Sequence, residues 1–324
     1  MHLARWVISI LSAPLYRDRS TRLIRPDRLD WNPSLTPRSV TVNGNTTFYV
    51  VKGDGEPLIL IHGYGAGIWV WEKQIDILSR FYRVYALDLI GHGYSDRPRI
   101  DYTPEAYIRF FREFMAAVGV EKATLIGNSM GGGLAWSVAA LFPERVKKLI
   151  LIDCIPPDVL DQVRNNSLRA LVAIKRIPFL LSLVFASCTK DSIRRILEEC
   201  VTDKSLITPD IVNHQYRLSM IQGTPWCLYS TFRNAEHALR LKESLSRIHH
   251  PTLLIWGEED LIFPPSVGKG LQRAIPGSRL QVIEKSGHIP MWETPERVNP
   301  WMLSFLADGG GSSFSEVSGS YLDK

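Results

Sequence analysis

The stretch Ala123-Thr124-Leu125-Ile126-Gly127-Asn128-Ser129-Met130-Gly131-Gly132-Gly133 decides the fold of this 324-residue chain. Its first four residues form a short apolar run without polar alternation, as a strand buried on both faces of a parallel sheet requires. From Leu134 to Leu141 the pattern changes to helical period. Between them Gly127 and Gly131 bracket Ser129, and glycine at both ends of so tight a turn points to close backbone approach and a strained central residue. A serine in that position stands at the end of a sheet strand. The Met130 N–H behind it, at the start of a helix, faces the place where negative charge on a reacting oxygen is best received.

Similar apolar runs recur on both sides. They are Pro57 to Ile61, Val84 to Leu87, Leu149 to Ile152, Thr252 to Trp256 and Leu280 to Ile283. Helical-period segments separate them at Trp71 to Leu78, Tyr107 to Val118 and Val298 to Leu306. Strand and helix in alternation predict a doubly wound α/β sheet. Ahead of it, Val40 to Val42 and Phe48 to Val51 flank Asn43-Gly44 as a hairpin. After Asp153 the rhythm stops for almost a hundred residues, and Leu168 to Ala186, Ile193 to Val201 and Ile211 to Ile221 read as helices. The predicted organisation is a core of residues 36–154 and 246–307 and a helical cap over 155–245, inserted at the carboxyl edge of the sheet, where such sheets bind ligands. Most of the insertion's apolar residues are expected to form its own core, with some left to line a greasy pocket.

In its strand-turn-helix setting, Gly127-Asn128-Ser129-Met130-Gly131 resembles the nucleophile elbow of the α/β-hydrolase family, serine-nucleophile branch, and the resemblance covers about residues 40–307. It implies that His62-Gly63-Tyr64-Gly65, after the strand ending at Ile61, is the oxyanion loop, with the Tyr64 and Met130 N–H groups as donors. His62 precedes the elbow and is expected to orient that loop. Asp88, His92 and Asp96, in the turn after the next strand, are expected to fix loop shape. A serine hydroxyl needs a base, and the base a carboxylate that holds its tautomer. His288, in Ser286-Gly287-His288 after the last strand, sits where the family carries its base. Asp260, in Glu258-Glu259-Asp260, has the family's spacing for the acid, and Asp153, which ends the strand at Ile152, is its competitor.

By analogy, the serine excludes the dehalogenase and epoxide hydrolase branches, which carry aspartate at the elbow. The resemblance implies acyl-enzyme chemistry on a carbonyl with no metal and no organic cofactor. Gly-Asn-Ser-Met-Gly-Gly is similar to two branches, membrane-associated esterases and lipases (including monoacylglycerol lipases) and hydrolases that cleave a carbon–carbon bond in aromatic ring-fission products. The apolar amino end and greasy insertion favour a small lipophilic ester. Trp292 near the histidine suits the carbon–carbon branch, although that branch holds its acidic substrate with an arginine of the insertion and nothing singles out Arg164, Arg169, Arg176 or Arg194. Met130 followed by three glycines also resembles cofactor-free haloperoxidases. A function of another class, a ligand sensor on a hydrolase scaffold, is compatible with the same residues.

Composition bounds the rest. With 45% hydrophobic and 22% charged residues the chain is a folded protein, and no apolar run reaches the roughly 20 residues of a spanning helix. The net charge of +5 is dispersed, which argues against nucleic acid as a partner. Cys154, Cys188, Cys200 and Cys227 lack zinc-site spacing and read as packing thiols in a reducing, cytoplasmic setting. Residues 1–35 hold Trp6 to Leu11 and then Arg17, Arg19, Arg22, Arg25 and Arg28. This amphipathic segment is expected to lie either on a membrane surface, as a peripheral contact, or on the protein itself. Residues 308–324 turn Gly/Ser-rich and read as a flexible tail.

Overall fold

The computed structural model describes residues 23–308. The apolar run Trp6 to Leu11 and almost all of the tail lie outside them. Eight strands form one sheet, β1 (Pro37–Val42), β2 (Asn45–Lys52), β3 (Pro57–Ile61), β4 (Arg83–Leu87), β5 (Ala123–Asn128), β6 (Val146–Ile152), β7 (Thr252–Gly257) and β8 (Arg279–Ile283). Their spatial order is β1-β2-β4-β3-β5-β6-β7-β8. β2 runs antiparallel to both neighbours and every later pairing is parallel. The hairpin register pairs Val42 with Asn45 around Asn43 and Gly44, and both turn residues have positive φ, as the twist of a two-residue hairpin demands.

Each central strand is buried on both faces, and successive residues serve opposite cores. Ile59, Ile61, Leu125, Leu149, Leu151, Leu254 and Trp256 pack on one side. Leu58, Leu60, Ile126, Ile150, Ile152, Leu253 and Ile255 pack on the other. The second side is covered by α1 (Glu72–Leu78), through Ile75 and Leu78, and by the last helix of the chain, through Val298, Met302 and Phe305. The first is covered by α2 (Pro104–Ala117) and α3 (Met130–Leu141). Each such buried aliphatic contributes about 1.5–3 kcal/mol, which explains why the strands tolerate no polar alternation.

Three glycines in the first turn of α3 would weaken an isolated helix. Here packing requires them: a Cβ at Gly131 would overlap the Ile61 carbonyl of β3, and one at Gly127 would overlap the Gly131 backbone. For that reason α3 starts at Met130, directly after the serine.

Between β6 and β7 the described chain is helical. It forms α4 (Val159–Gln162), α5 (Asn166–Ile174), α6 (Pro178–Ala186), α7 (Lys190–Glu199), α8 (Pro209–Ser219), α9 (Thr224–Asn234) and a 3₁₀ segment Ala235–Arg247. The long helix expected over Leu168 to Ala186 is two helices, because Pro178 lacks an N–H and starts a new one at its favoured first position. α9 lies outside the helices that the sequence predicts. Its first turn is announced by Gly223, at φ 91°, and Pro225 rather than by apolar period. After β7 come α10 (Pro265–Ala274), α11 (Pro290–Glu293) and α12 (Pro295–Ala307), the helix that carries Val298 to Phe305. No described helix is long and apolar enough to cross a membrane. Cys154 and Cys227 are buried thiols.

Candidate active site

Ser129 sits between β5 and α3 at φ 52° and ψ −119°, a conformation that costs a non-glycine residue free energy and is held by its surroundings. Its N–H donates to the Ile152 carbonyl at 2.9 Å, and its carbonyl accepts from Gly133 and Ile155 at 3.0 and 3.1 Å. The turn is thus clamped from β6 and from its own helix. Met130, the first residue of α3, has no intrahelical acceptor for its N–H.

The His62 to Gly65 loop lies against this turn. A Cβ on Gly63 would come 3.0 Å from the Ser129 Cβ, so the expected oxyanion loop and the serine are neighbours. His62 is fully buried, with Nδ1 bonded to the Gly63 carbonyl at 2.7 Å and Nε2 accepting from the Leu89 N–H at 3.0 Å. Burial lowers its pKa to about 4, against a smaller opposing effect of the Gly63 carbonyl. A neutral histidine with both nitrogens engaged is a loop brace. From outside, the Tyr64 hydroxyl donates to the Leu228 carbonyl at 2.7 Å, and Gln215 Nε2 donates to the Gly65 carbonyl at 2.6 Å. The helices between β6 and β7 therefore hold the loop in place.

Asp88 performs the neighbouring task. Its carboxylate accepts from the Ile68 N–H at 2.8 Å and the Tyr94 N–H at 2.7 Å, and burial raises its pKa to about 7. Asp96 accepts from the Thr46 N–H at 2.7 Å and pairs with Arg25. His92 is buried and bonds Ile90 through Nδ1 at 3.3 Å, while its Nε2 has no partner among the described residues.

His288 Nδ1 bonds Asp260 Oδ2 at 2.8 Å, and both side chains are buried. Asp260 Oδ1 accepts from the Ile262 and Phe263 N–H groups at 2.7 and 3.1 Å, which returns the loop after β7 toward the histidine. The Phe263 ring lies 5.8 Å from the imidazole. Asp260, rather than Asp153, thus makes the bond to His288. Asp153, at φ 41°, accepts from the Gly257 N–H at 2.9 Å through Oδ1. One carboxylate oxygen of each acid and a ring nitrogen of His288 lie within 4.8 Å of one another, the one such group among the described residues with the donor types to receive a metal ion.

Three positions that the sequence did not single out complete the arrangement. Asn128 Nδ2 donates to the Ile152 carbonyl at 3.2 Å and the His288 carbonyl at 3.0 Å, tying the elbow to the histidine loop. Glu293 accepts from the N–H groups of Thr202, Asp203 and Gly287, so it joins the loop between α7 and α8 to the residue before His288. Gln215 is the third, through its bond to the Gly65 carbonyl. In the sequence Asn128 is only the variable residue of a motif, Glu293 follows a tryptophan of obvious interest, and Gln215 lies mid-helix, so no local signal marked any of them.

Of the arginines considered for an acidic substrate, Arg164, Arg169 and Arg176 are exposed. Arg194 donates to the Ile207 carbonyl at 2.9 Å and pairs with Glu198. Trp292 packs edge-on against Trp69 at 5.9 Å and donates to Glu72 at 3.1 Å.

Known proteins share this architecture. The chain is 32% identical over 292 residues to a 2-hydroxy-6-oxononadienedioate/2-hydroxy-6-oxononatrienedioate hydrolase of Comamonas testosteroni, covering 86% of this chain and 99% of that one. It superposes on a meta-cleavage product hydrolase from Pseudomonas fluorescens IP01 with a TM-score of 0.71 at 28% identity, over 83% of this chain and 97% of the other. A bacterial membrane phospholipase A gives a TM-score of 0.67 at 27% identity, over 84% and 86%. The sequence profile of the alpha/beta hydrolase fold matches residues 56–198 and 204–295. The chain belongs to the alpha/beta hydrolase fold family.

Proposed function

We propose that the chain is a serine hydrolase that cleaves the carbon–carbon bond beside a ketone in a conjugated ring-fission product. The observation that carries this reading is the similarity over nearly the whole length of the Comamonas testosteroni hydrolase, whose substrate names describe such a ketone. The lipophilic ester, favoured by the sequence, becomes the second reading. In either case Ser129 is the nucleophile, His288 the general base and then acid, and Asp260 the carboxylate that holds the imidazole tautomer. The N–H groups of Tyr64 and Met130 receive the oxyanion. The helices over 155–245 act as a cap on the core formed by 36–154 and 246–307.

The chemistry follows from charge. His288 takes the Ser129 proton as Oγ bonds to the ketone carbon, and the carbonyl electrons move onto oxygen. When that carbonyl re-forms, the carbon–carbon bond breaks and its electron pair goes to the leaving carbon. Carbon is a far poorer leaving group than alkoxide, so the pair must be delocalised into a conjugated system and the carbon protonated by His288. Water, deprotonated by His288, then hydrolyses the acyl-enzyme.

One observation favours the ester. An acidic dienoate needs a cation, and the four arginines considered are exposed or engaged elsewhere. On the same side, an apolar cluster of Leu171, Leu181, Tyr229 and Phe232 packs on Tyr64, in keeping with a greasy acyl group. Two assays separate the readings. A coloured 2-hydroxy-6-oxo-6-phenylhexa-2,4-dienoate should bleach faster than any p-nitrophenyl ester of graded chain length is hydrolysed; esters turned over with no bleaching reverse the order. Slow single-turnover chemistry on both, with ligand-dependent protection of the inserted helices from protease, would instead indicate a sensor.

A further inference from the structure

We propose that Asp153 is a positioning residue for Asp260: a carboxylic acid kept neutral, whose proton is donated to the Asp260 carboxylate behind His288. The inference rests on the reading of Asp260 and His288 as acid and base.

The geometry carries it. Asp153 and Asp260 end neighbouring strands, β6 and β7, and both are buried, Asp153 completely. Asp153 Oδ1 is occupied by the Gly257 N–H. Oδ2 is sealed from solvent and meets no donor among the described residues, which suits an oxygen that carries a proton of its own better than one that carries charge. Asp260 Oδ2 and Oδ1 already accept from His288, Ile262 and Phe263, so Asp260 is the member of the pair built to be an anion. The groups facing Asp153 are Asp260 after β7, His288 after β8, Glu293 on α11 and Cys154 beside it in the chain. His288 is the one group among them able to become a cation. Two anions next to a neutral imidazole would leave two unpaired charges in a dry site, whereas one anion is cancelled when the imidazolium forms. Burial first, then the charge of Asp260, pushes the Asp153 carboxyl well above the usual range, against the Gly257 N–H, which lowers it. The backbone agrees: φ 41° at a non-glycine residue is strain, and strain collects where a side chain must be aimed.

Asparagine copies a neutral aspartic acid here. Its Oδ1 accepts from Gly257 and its Nδ2 donates to Asp260, and it tolerates positive φ. Glycine accepts φ 41° and removes the donor. The test is the pH dependence of kcat/KM on p-nitrophenyl butyrate and on the phenyl dienoate, whichever turns over. Asp153→Asn should keep kcat within about threefold and leave the acidic limb in place, because charge and donor are both preserved. Asp153→Gly should lose roughly tenfold in kcat and move the acidic limb up by about half a unit or more, because Asp260, without its donor, stabilises the imidazolium more strongly. A purely structural role would scale the rate at every pH without moving the limb. The infrared spectrum at neutral pH should contain a protonated carboxyl band that Asp153→Asn removes, a measurement that stands even if the glycine variant does not fold.

Three results overturn the proposal: an acidic limb that falls by about a unit in Asp153→Asn, showing a lost charge; loss of turnover in Asp153→Asn as deep as in Asp260→Asn; or no such carboxyl band. Failure of the underlying reading looks different, since Asp260→Asn or Ser129→Ala would then remain active.

Discussion

The carboxyl edge of the sheet and α6, one of the helices between β6 and β7, are both built from apolar runs but packed to different standards. Leu58 to Ile61, Leu149 to Ile152 and Leu253 to Trp256 are wholly buried. On α6, Ile177 at its entry and Phe179 in its first turn are 53% and 78% exposed, and Leu181 is the one fully buried side chain of the helix. The first region is locked by neighbours on two faces, and the second leaves part of its apolar surface open to solvent. Under the proposed function, rigid geometry for the chemistry and adjustable specificity fall to these two different parts of one chain.

If the edge of the sheet is the chemical region, its loss should be felt in rate first. Ser129→Ala should lower kcat by about 10³-fold or more with an unchanged circular dichroism spectrum, and Asp260→Asn should cost on the order of 10³–10⁴. Near-normal turnover in either variant would detach the chemistry from this edge. Stability should fail next. In Gly131→Ala the new methyl group meets the Ile61 carbonyl of a strand that cannot retreat, so unfolding should become easier by more than about 4 kcal/mol, read from urea midpoints.

These effects track what was legible in the sequence. The sheet could be read because a strand buried on both faces leaves an unbroken apolar run, and the elbow because close approach leaves glycines. The places of Ser129, Asp260 and His288 follow from the resemblance to the α/β-hydrolase family, since Asp153 also ends a strand and strand position alone does not choose between the two acids. Asn128, Gln215 and Glu293 could not be read, since each acts by a bond to a backbone group that is distant in sequence, and nothing local announces such a bond. The split between α5 and α6 has a single local mark, Pro178, inside an otherwise helical apolar stretch. The choice between ester and ketone rests on the amino end, whose apolar run lies outside the described residues, and on the insertion, where Ile177 and Phe179 are exposed.

His62 supplies a pH test of the loop that links the two regions. Its folded pKa of about 4 lies below the ordinary 6.5, so between these values the unfolded chain binds a proton that the native chain refuses. Stability present above pH 6.5 should be lost as pH falls toward 4, by on the order of 3 kcal/mol. His62→Gln, with no titration, should be less stable at neutral pH but show a flatter slope over that window. An unchanged slope, measured by urea unfolding at each pH, would remove His62 as its source.

The smallest effect should come from the helical region's exposed residues, and it sharpens the contrast most because buried and exposed positions share one helix. Leu181→Ala removes a side chain packed with Leu171, Tyr229 and Phe232 and should cost about 2–5 kcal/mol. Phe179→Ser, two residues earlier, removes a larger side chain that is mostly in solvent and should change stability by less than about 0.5 kcal/mol. Phenylalanine kept at such exposure gains nothing for folding, so its use must be read on substrates. A shift in the ester chain-length profile of Phe179→Ser, with the urea midpoint unmoved, would show that the exposed face of α6 belongs to recognition. An unmoved profile would confine recognition to the buried cluster around Tyr64.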